Sequence, residues 1–168
     1  MAGHTTILIR RAKTVDVEVL VDFSAAMARE TEGRELDRPQ LRKGTQAVFD
    51  SPARGFYLVA EAQGLAGRRV VGQLMITFEW SDWRCANFWW IQSVYVDPAW
   101  RRQGVYRRLH QAVVEQAKAR TDVCGLRLYV EGANENAKRV YERVGMSRSV
   151  YQVFEDDFIL SRHKSGGR

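Results

Sequence analysis

Two periodicities alternate in this sequence. Apolar side chains recur at every second residue in some stretches, which predicts strands, and at every third or fourth in others, which predicts helices. Ile7 to Lys13 (ILIRRAK) predicts a short first strand. From Thr14 to Glu30, residues Val17, Leu20, Val21, Ser24 and Ala28 share one helical face, with Thr14 or Asp16 as a cap. Thr31 to Arg38 (TEGRELDR) is polar, contains Gly33 and reads as a loop. Pro39 opens a second helix to Asp50, and Ser51-Pro52 stops it. Phe56 to Ala62 and Val70 to Trp80 predict a hairpin around a turn at Gly64 to Arg69. In its second strand Val70, Gly72, Leu74, Ile76 and Phe78 face one way, and Gln73, Thr77 and Glu79 the other.

Phe88 to Asp97 (FWWIQSVYVD) is apolar on both faces, which places it in the middle of a sheet; Pro98 ends it. Arg102 to Arg120 returns to the helical period, with Val105, Leu109, Ala112, Val113 and Ala117 inward and Arg107, Gln111, Glu115 and Lys118 outward. Gly125 to Glu131 predicts a strand, and Asn134 to Val144 a helix stopped by Gly145. Val150 to Phe154 and Phe158 to Ser161 predict two final strands, and the tail HKSGGR has nothing to pack. This order gives an α/β (α+β) fold with a mixed sheet, and the helix from Arg102 joins two parallel strands. No repeat or linker interrupts it, so residues 1–162 read as one domain and 163–168 as a disordered tail.

The 168 residues suffice for one buried core, and 45% hydrophobic with 27% charged residues is ordinary for a globular chain. Cys85 and Cys124 form neither a CxxC pair nor a zinc pattern, so two reduced thiols and no metal are expected. No apolar run reaches the ~18–20 residues that span a bilayer, and MAGHTTILIRR lacks a signal-peptide layout. A soluble, cytoplasmic protein without a membrane partner is expected. The net charge of +6 is mostly scattered arginine; it suits any polyanion and does not choose among them.

The informative stretch is SVYVDPAWRRQGVYRRL, Ser93 to Leu109. A buried strand runs into a loop with Arg101, Arg102 and Gly104, and a helix follows. The first turn of a helix offers unpaired N–H groups and the positive end of its dipole, both suited to a phosphate. Gly104 lets a bulky anion approach the backbone, and the arginines add charge and donors. Taken alone, the segment fits either a pyrophosphate site or a plain basic turn. A second signature lies downstream: Asn134, Ala137, Tyr141, Gly145 and Met146, spaced as Asn-x-x-Ala-x-x-x-Tyr followed by a glycine and an apolar residue.

With both motifs in this order, on strand-to-helix and helical segments, the chain resembles the GNAT superfamily of N-acetyltransferases over about residues 7 to 160. The first motif, Arg/Gln-x-x-Gly-x-Gly/Ala, corresponds to Arg101-Arg102-Gln103-Gly104-Val105-Tyr106 after Val94-Tyr95-Val96-Asp97-Pro98. Tyr106 departs from the family's small residue, and Met146 from its phenylalanine. The resemblance implies a mostly antiparallel, twisted sheet of six to seven strands with helices on both faces. It implies acetyl-CoA as acyl donor, its pantetheine arm paired with the backbone of Val94, Tyr95 and Val96. The pyrophosphate would rest on the amides of Gln103 to Arg107, with Asn134 and Ala137 beside the cofactor. Tyr141 would protonate the departing thiolate. No metal is implied, and since dimers are common in the family, a homodimer is among the expected partners.

Many relatives carry a carboxylate on the central strand to take the amine's proton. Here Gln92 and Ser93 are that strand's only polar members, so Glu79 on the neighbouring strand is the candidate base; Glu30, Glu32, Asp82, Glu155, Asp156 and Asp157 are further carboxylates. The run Trp80, Trp83, Phe88, Trp89, Trp90 reads either as an aromatic wall or as sheet packing. The expected function is transfer of an acetyl group from acetyl-CoA to a primary amine by direct attack. Two alternatives remain: an acyltransferase acting on an aminoacyl-tRNA-type amine, for which the basic charge speaks, and a non-catalytic acyl-CoA-binding module.

Overall fold

The period-two stretches become five strands, β1 (Thr6–Arg11), β2 (Phe56–Gly64), β3 (Gly67–Ser81), β4 (Ala86–Val96) and β5 (Val123–Arg127). The computed structural model describes residues 6–64 and 67–159, and the chain divides after Tyr129 into two units. In the first unit the strands pair in chain order. β1 to β4 are antiparallel neighbours, whereas β4 and β5 are parallel. A parallel pair needs a crossover, and α3 (Val105–Lys118) provides it. The sheet is therefore mixed and mostly antiparallel, as expected, with five strands among the described residues in place of six to seven.

Helices cover both faces. Successive residues of β2 show this, because Leu58 packs with Leu74, Ile76, Trp89, Ile91 and with Val105, Leu109 and Val113 of α3, while Val59 packs with Leu20 of α1 (Val17–Glu32) and Val48 of α2 (Arg38–Asp50). Leu20, Leu58, Leu74, Ile76 and Leu109 are wholly buried. Burying each such side chain contributes about 1.5–3 kcal/mol. The stripe expected on α3 is buried at Val105, Leu109, Val113 and Ala117, and His110 joins it unforeseen.

Two local expectations change. Asp16 does not cap α1: its buried carboxylate accepts from the Arg10 guanidinium at 2.8 Å and from the Lys13 N–H at 2.7 Å. Glu61 accepts from the same guanidinium at 2.8 Å, so Arg10 joins two buried carboxylates. Val70 does not share a face with Leu74. The pairing skips from Ala60↔Gly72 to Glu61↔Val70, and the extra residue, Val71, sends Val70 to the side of α1 and α2.

In the second unit α4 spans Glu135–Arg143. Asn134 caps its start, accepting the Ala137 N–H at 3.0 Å. At its end Gly145 (φ 91) donates to the Glu142 carbonyl, and Met146 donates to the Tyr141 carbonyl at 3.1 Å. That bond pair is the Schellman motif, whose left-handed residue favours glycine. The strand expected at Val150 to Phe154 is not formed; Val150, Tyr151, Val153 and Phe154 are exposed. Alternating apolar residues make a strand only against a partner edge. Phe158 and Ile159 form a bend, while Leu160, Ser161 and the tail lie outside the described residues.

Candidate functional site

β4 and β5 pair over only part of their length. The parallel register runs from Asn87↔Val123 to Trp90↔Arg127, yet β4 continues to Val96 beside β3 alone. From Ile91 onward no strand among the described residues pairs with the β5 side of β4, which leaves the kind of edge that pairs with an extended, amide-bearing chain.

The same stretch carries a bulge. Gln73 pairs with Tyr95 and Met75 with Gln92, so Ser93 and Val94 together face Leu74. Ser93 adopts φ 51, a left-handed conformation uncommon for serine. The phase of the strand reverses there: Trp89 and Ile91 pack on the α3 side before it, Val94 and Val96 after it. The apolar pattern on both faces had concealed this reversal, and its signal was the polar pair Gln92-Ser93.

Asp97 ends the strand and caps a 3-10 turn at Pro98–Trp100, accepting the Ala99 N–H at 3.0 Å. Arg102 (φ 61) and Gly104 (φ 77) are both left-handed. Alternation of this kind turns successive N–H groups to one side, forming an anion-binding concavity. Gly104 is the N-cap of α3 and supplies no side chain, so no side chain caps the first turn of this helix. By contrast, Asp37 and Asn134 cap α2 and α4. Arg102, Gln103 and Arg107 are exposed around this end.

Arg101 is used differently. Its guanidinium donates to the Val96 carbonyl at 2.9 Å and to Glu30 at 2.6 Å, and Glu30 also accepts the Tyr95 hydroxyl at 2.8 Å. Against the cost of its burial, Arg101 and Tyr95 hold the Glu30 carboxyl below its ordinary range; burial and Glu30 push the Tyr95 phenol up. Arg101 thus fastens the end of α1 to the end of β4. Tyr106 does not cross the loop: its ring lies 5.9 Å from His110 and its hydroxyl is buried. Between β1 and α3, Ile7, Ile9, Arg107, Arg108 and Gln111 line a separate shallow groove of about 740 Å³.

Asn134, Ala137 and Tyr141 belong to α4, in the second unit. Asn134 spends its side-chain oxygen on the helix cap. Tyr141 is half-buried, and burial pushes its phenol up from the ordinary value.

Glu79 lies away from the bulge. It pairs with Phe88, five residues along β3 from Leu74, a separation of about 16 Å at strand rise. One of its oxygens accepts from Arg127 at 2.5 Å and the other from the Trp90 indole. The aromatic run divides: Trp89 is core at 4% exposure, Trp83 is 86% exposed, and Trp90 lies against Tyr129. Among the described residues no group of three or more His, Cys, Asp or Glu could hold a metal, and no helix is long and apolar enough to cross a membrane.

An open parallel-strand edge ending in an uncapped helix start can hold an extended chain with a diphosphate at its end. Comparison with known proteins shows the family. The model of the acetyltransferase (GNAT) family matches residues 21–146. A structure described as a possible acetyltransferase from Clostridium difficile 630 is 40% identical, with a TM-score of 0.83 over 91% of this chain and 98% of that one. A predicted acetyltransferase with acetyl-CoA from Clostridium acetobutylicum is 17% identical, with a TM-score of 0.71 over 94% and 99% of the two chains. Glucosamine-6-phosphate N-acetyltransferase from Arabidopsis thaliana shares the fold at 16% identity, with a TM-score of 0.68 over 90% and 98%. A search of the curated proteins finds no match. The chain belongs to the GNAT acetyltransferase family.

Proposed function

We propose that this protein, acting as a single acyltransferase domain, moves an acetyl group from acetyl-CoA to a primary amine. The observation that carries the reading is the uncapped start of α3 at the end of the open β4 edge. In this reading the pyrophosphate accepts from the main-chain N–H groups of Gln103 to Arg107, and the exposed Arg102 and Arg107 add charge. The pantetheine amides pair with the backbone of Val94, Tyr95 and Val96. Arg101, already bound to Glu30, braces the loop. The acetyl-CoA of a distant structural relative supports the choice of donor.

The amine nitrogen attacks the thioester carbonyl carbon and the C–N bond forms. The tetrahedral intermediate then collapses with cleavage of the C–S bond. Tyr141 gives its hydroxyl proton to the leaving thiolate; a buried phenol stays protonated at neutral pH and can serve as that donor. The amine's own proton leaves through water. With the carbonyl at the bulge, Glu79 stands beyond the ~3 Å reach of direct proton transfer, so this reading makes Glu79 a partner of Arg127 and Trp90, not the base.

A thiol-release screen of acetyl-CoA against small amines, peptides and aminoacyl-tRNA tests the proposal. Amine-dependent release of CoA is expected. Binding of acetyl-CoA without release against any acceptor would favour the non-catalytic module.

A further inference from the structure

β3 buries one glutamine completely. Gln73 has 0% exposure, and its side-chain nitrogen donates to the Ser93 carbonyl at 3.2 Å and to the Ser24 hydroxyl of α1 at 3.0 Å. A carbonyl can only accept, so the amide nitrogen must face Ser93, which fixes the orientation of the side chain. Its oxygen, also buried, has no partner. An apolar side chain of similar size would avoid that orphaned oxygen, so stability does not explain the glutamine. It stands at the one place where β4 holds a non-glycine residue in the left-handed region, Ser93 at φ 51. Backbone strain and an under-satisfied buried amide meet at a single point, and such outliers point to function.

The geometry points to a positioning role. In a trans peptide the C=O and the following N–H point in opposite directions. Gln73 draws the Ser93 carbonyl toward itself, so the Val94 N–H is turned away, to the side where β4 has no strand neighbour. We propose that Gln73, steadied by Ser24, fixes the Ser93–Val94 peptide so that the Val94 N–H donates to the thioester carbonyl oxygen of acetyl-CoA. Negative charge gathers on that oxygen during attack, and a donor already aimed at it favours the transition state more than the ground state. α1 thereby takes part in catalysis without touching substrate. The inference rests on the acetyl-CoA reading above.

Infrared difference spectroscopy of [1-13C]acetyl-CoA tests it without knowledge of the acceptor. A donated hydrogen bond lowers the carbonyl stretching frequency, so binding to the wild-type protein is expected to shift the band down. Gln73→Met, which keeps the volume and removes the amide, is expected to lose at least about half of that shift. Its affinity for acetyl-CoA should stay within about threefold, while kcat on an accepted amine falls about tenfold or more, as when an oxyanion donor is misplaced. Gln73→Asn keeps an amide one methylene short of Ser93 and is expected to behave alike, so a folding failure of one variant leaves the other to decide. A wild-type shift retained in either folded variant overturns the role of Gln73, as does a wild-type protein that binds acetyl-CoA with no shift at all. If the wild-type protein does not bind acetyl-CoA, the acyltransferase reading itself fails.

Discussion

Tyr141 is the side chain on which the chemistry of the proposal turns. Burial holds its phenol above the ordinary 10.0, so the proton it would give to the thiolate is present throughout the neutral range. The acid form is required, so the rate should hold up to that raised pKa and fall as pH climbs through it. Tyr141→Phe is expected to lower kcat at least tenfold, to leave acetyl-CoA affinity nearly unchanged, and to abolish the alkaline limb of the profile. A variant as fast as the parent would leave Tyr141 as a packing residue. Other roles at this level were only partly readable. Asn134 was legible as a motif member, and the structure gives it a concrete task, capping α4. Gly145 was legible as a helix stop because the Schellman geometry needs φ > 0. Glu79 is a candidate base because it ends the strand beside β4; with the thioester at the bulge, as proposed, it stands about 16 Å away along β3.

At the level of strands and helices, periodicity located every α-helix and the first five strands to within a few residues. What it missed were departures from regularity. Val71 and Ser93 are each one residue too many in a paired strand, and a fixed period of two cannot show where the phase slips. The expected strand at Val150 to Phe154 fails for the opposite reason: its pattern is correct, but pairing is a property of two segments. The start of α3 was legible from Gly104 and its arginines, because helix geometry fixes which N–H groups go unpaired. Nothing lies within 4 Å of a Cβ built on Gly104, so the first atom of a substituted side chain meets open space. Gly104→Leu is therefore expected to leave the fold intact at a cost of about 1–2 kcal/mol for the left-handed backbone. It should weaken acetyl-CoA binding at least tenfold by filling the space above the amides. Unchanged affinity in a titration of this variant would refute the loop assignment.

For the whole molecule, the net charge of +6 is less uniform than the composition suggests. Arg10, Arg38, Arg42, Arg69, Arg101, Arg120 and Arg127 are all held in ion pairs. The exposed Arg102 and Arg107 flank the uncapped helix start, so salt should weaken cofactor binding. Stability depends on a different arginine. Arg10 bridges Asp16 and Glu61, whose side chains are 7% and 8% exposed. Burial opposes the charge on Asp16, but Arg10 and the Lys13 N–H hold its carboxyl below 3.8; Arg10 holds Glu61 below 4.5. Folded pKa values lowered in this way contribute stability that is complete above the unfolded values and is lost as pH falls through the folded ones. Arg10→Met should cost about 3–5 kcal/mol at neutral pH by taking the shared guanidinium from two buried carboxylates, which keep only the Lys13 N–H and the Gln63 and Arg68 side chains. Urea unfolding should show that deficit shrinking as acid protonates them, and a deficit independent of pH would contradict this account.

Calorimetric titration of the intact protein with acetyl-CoA tests the central claim most directly. The account predicts one saturable site per chain, weakened by added salt and by Gly104→Leu. A folded protein that gives no binding heat with acetyl-CoA at several temperatures, or that binds it equally well with leucine at position 104, would contradict it.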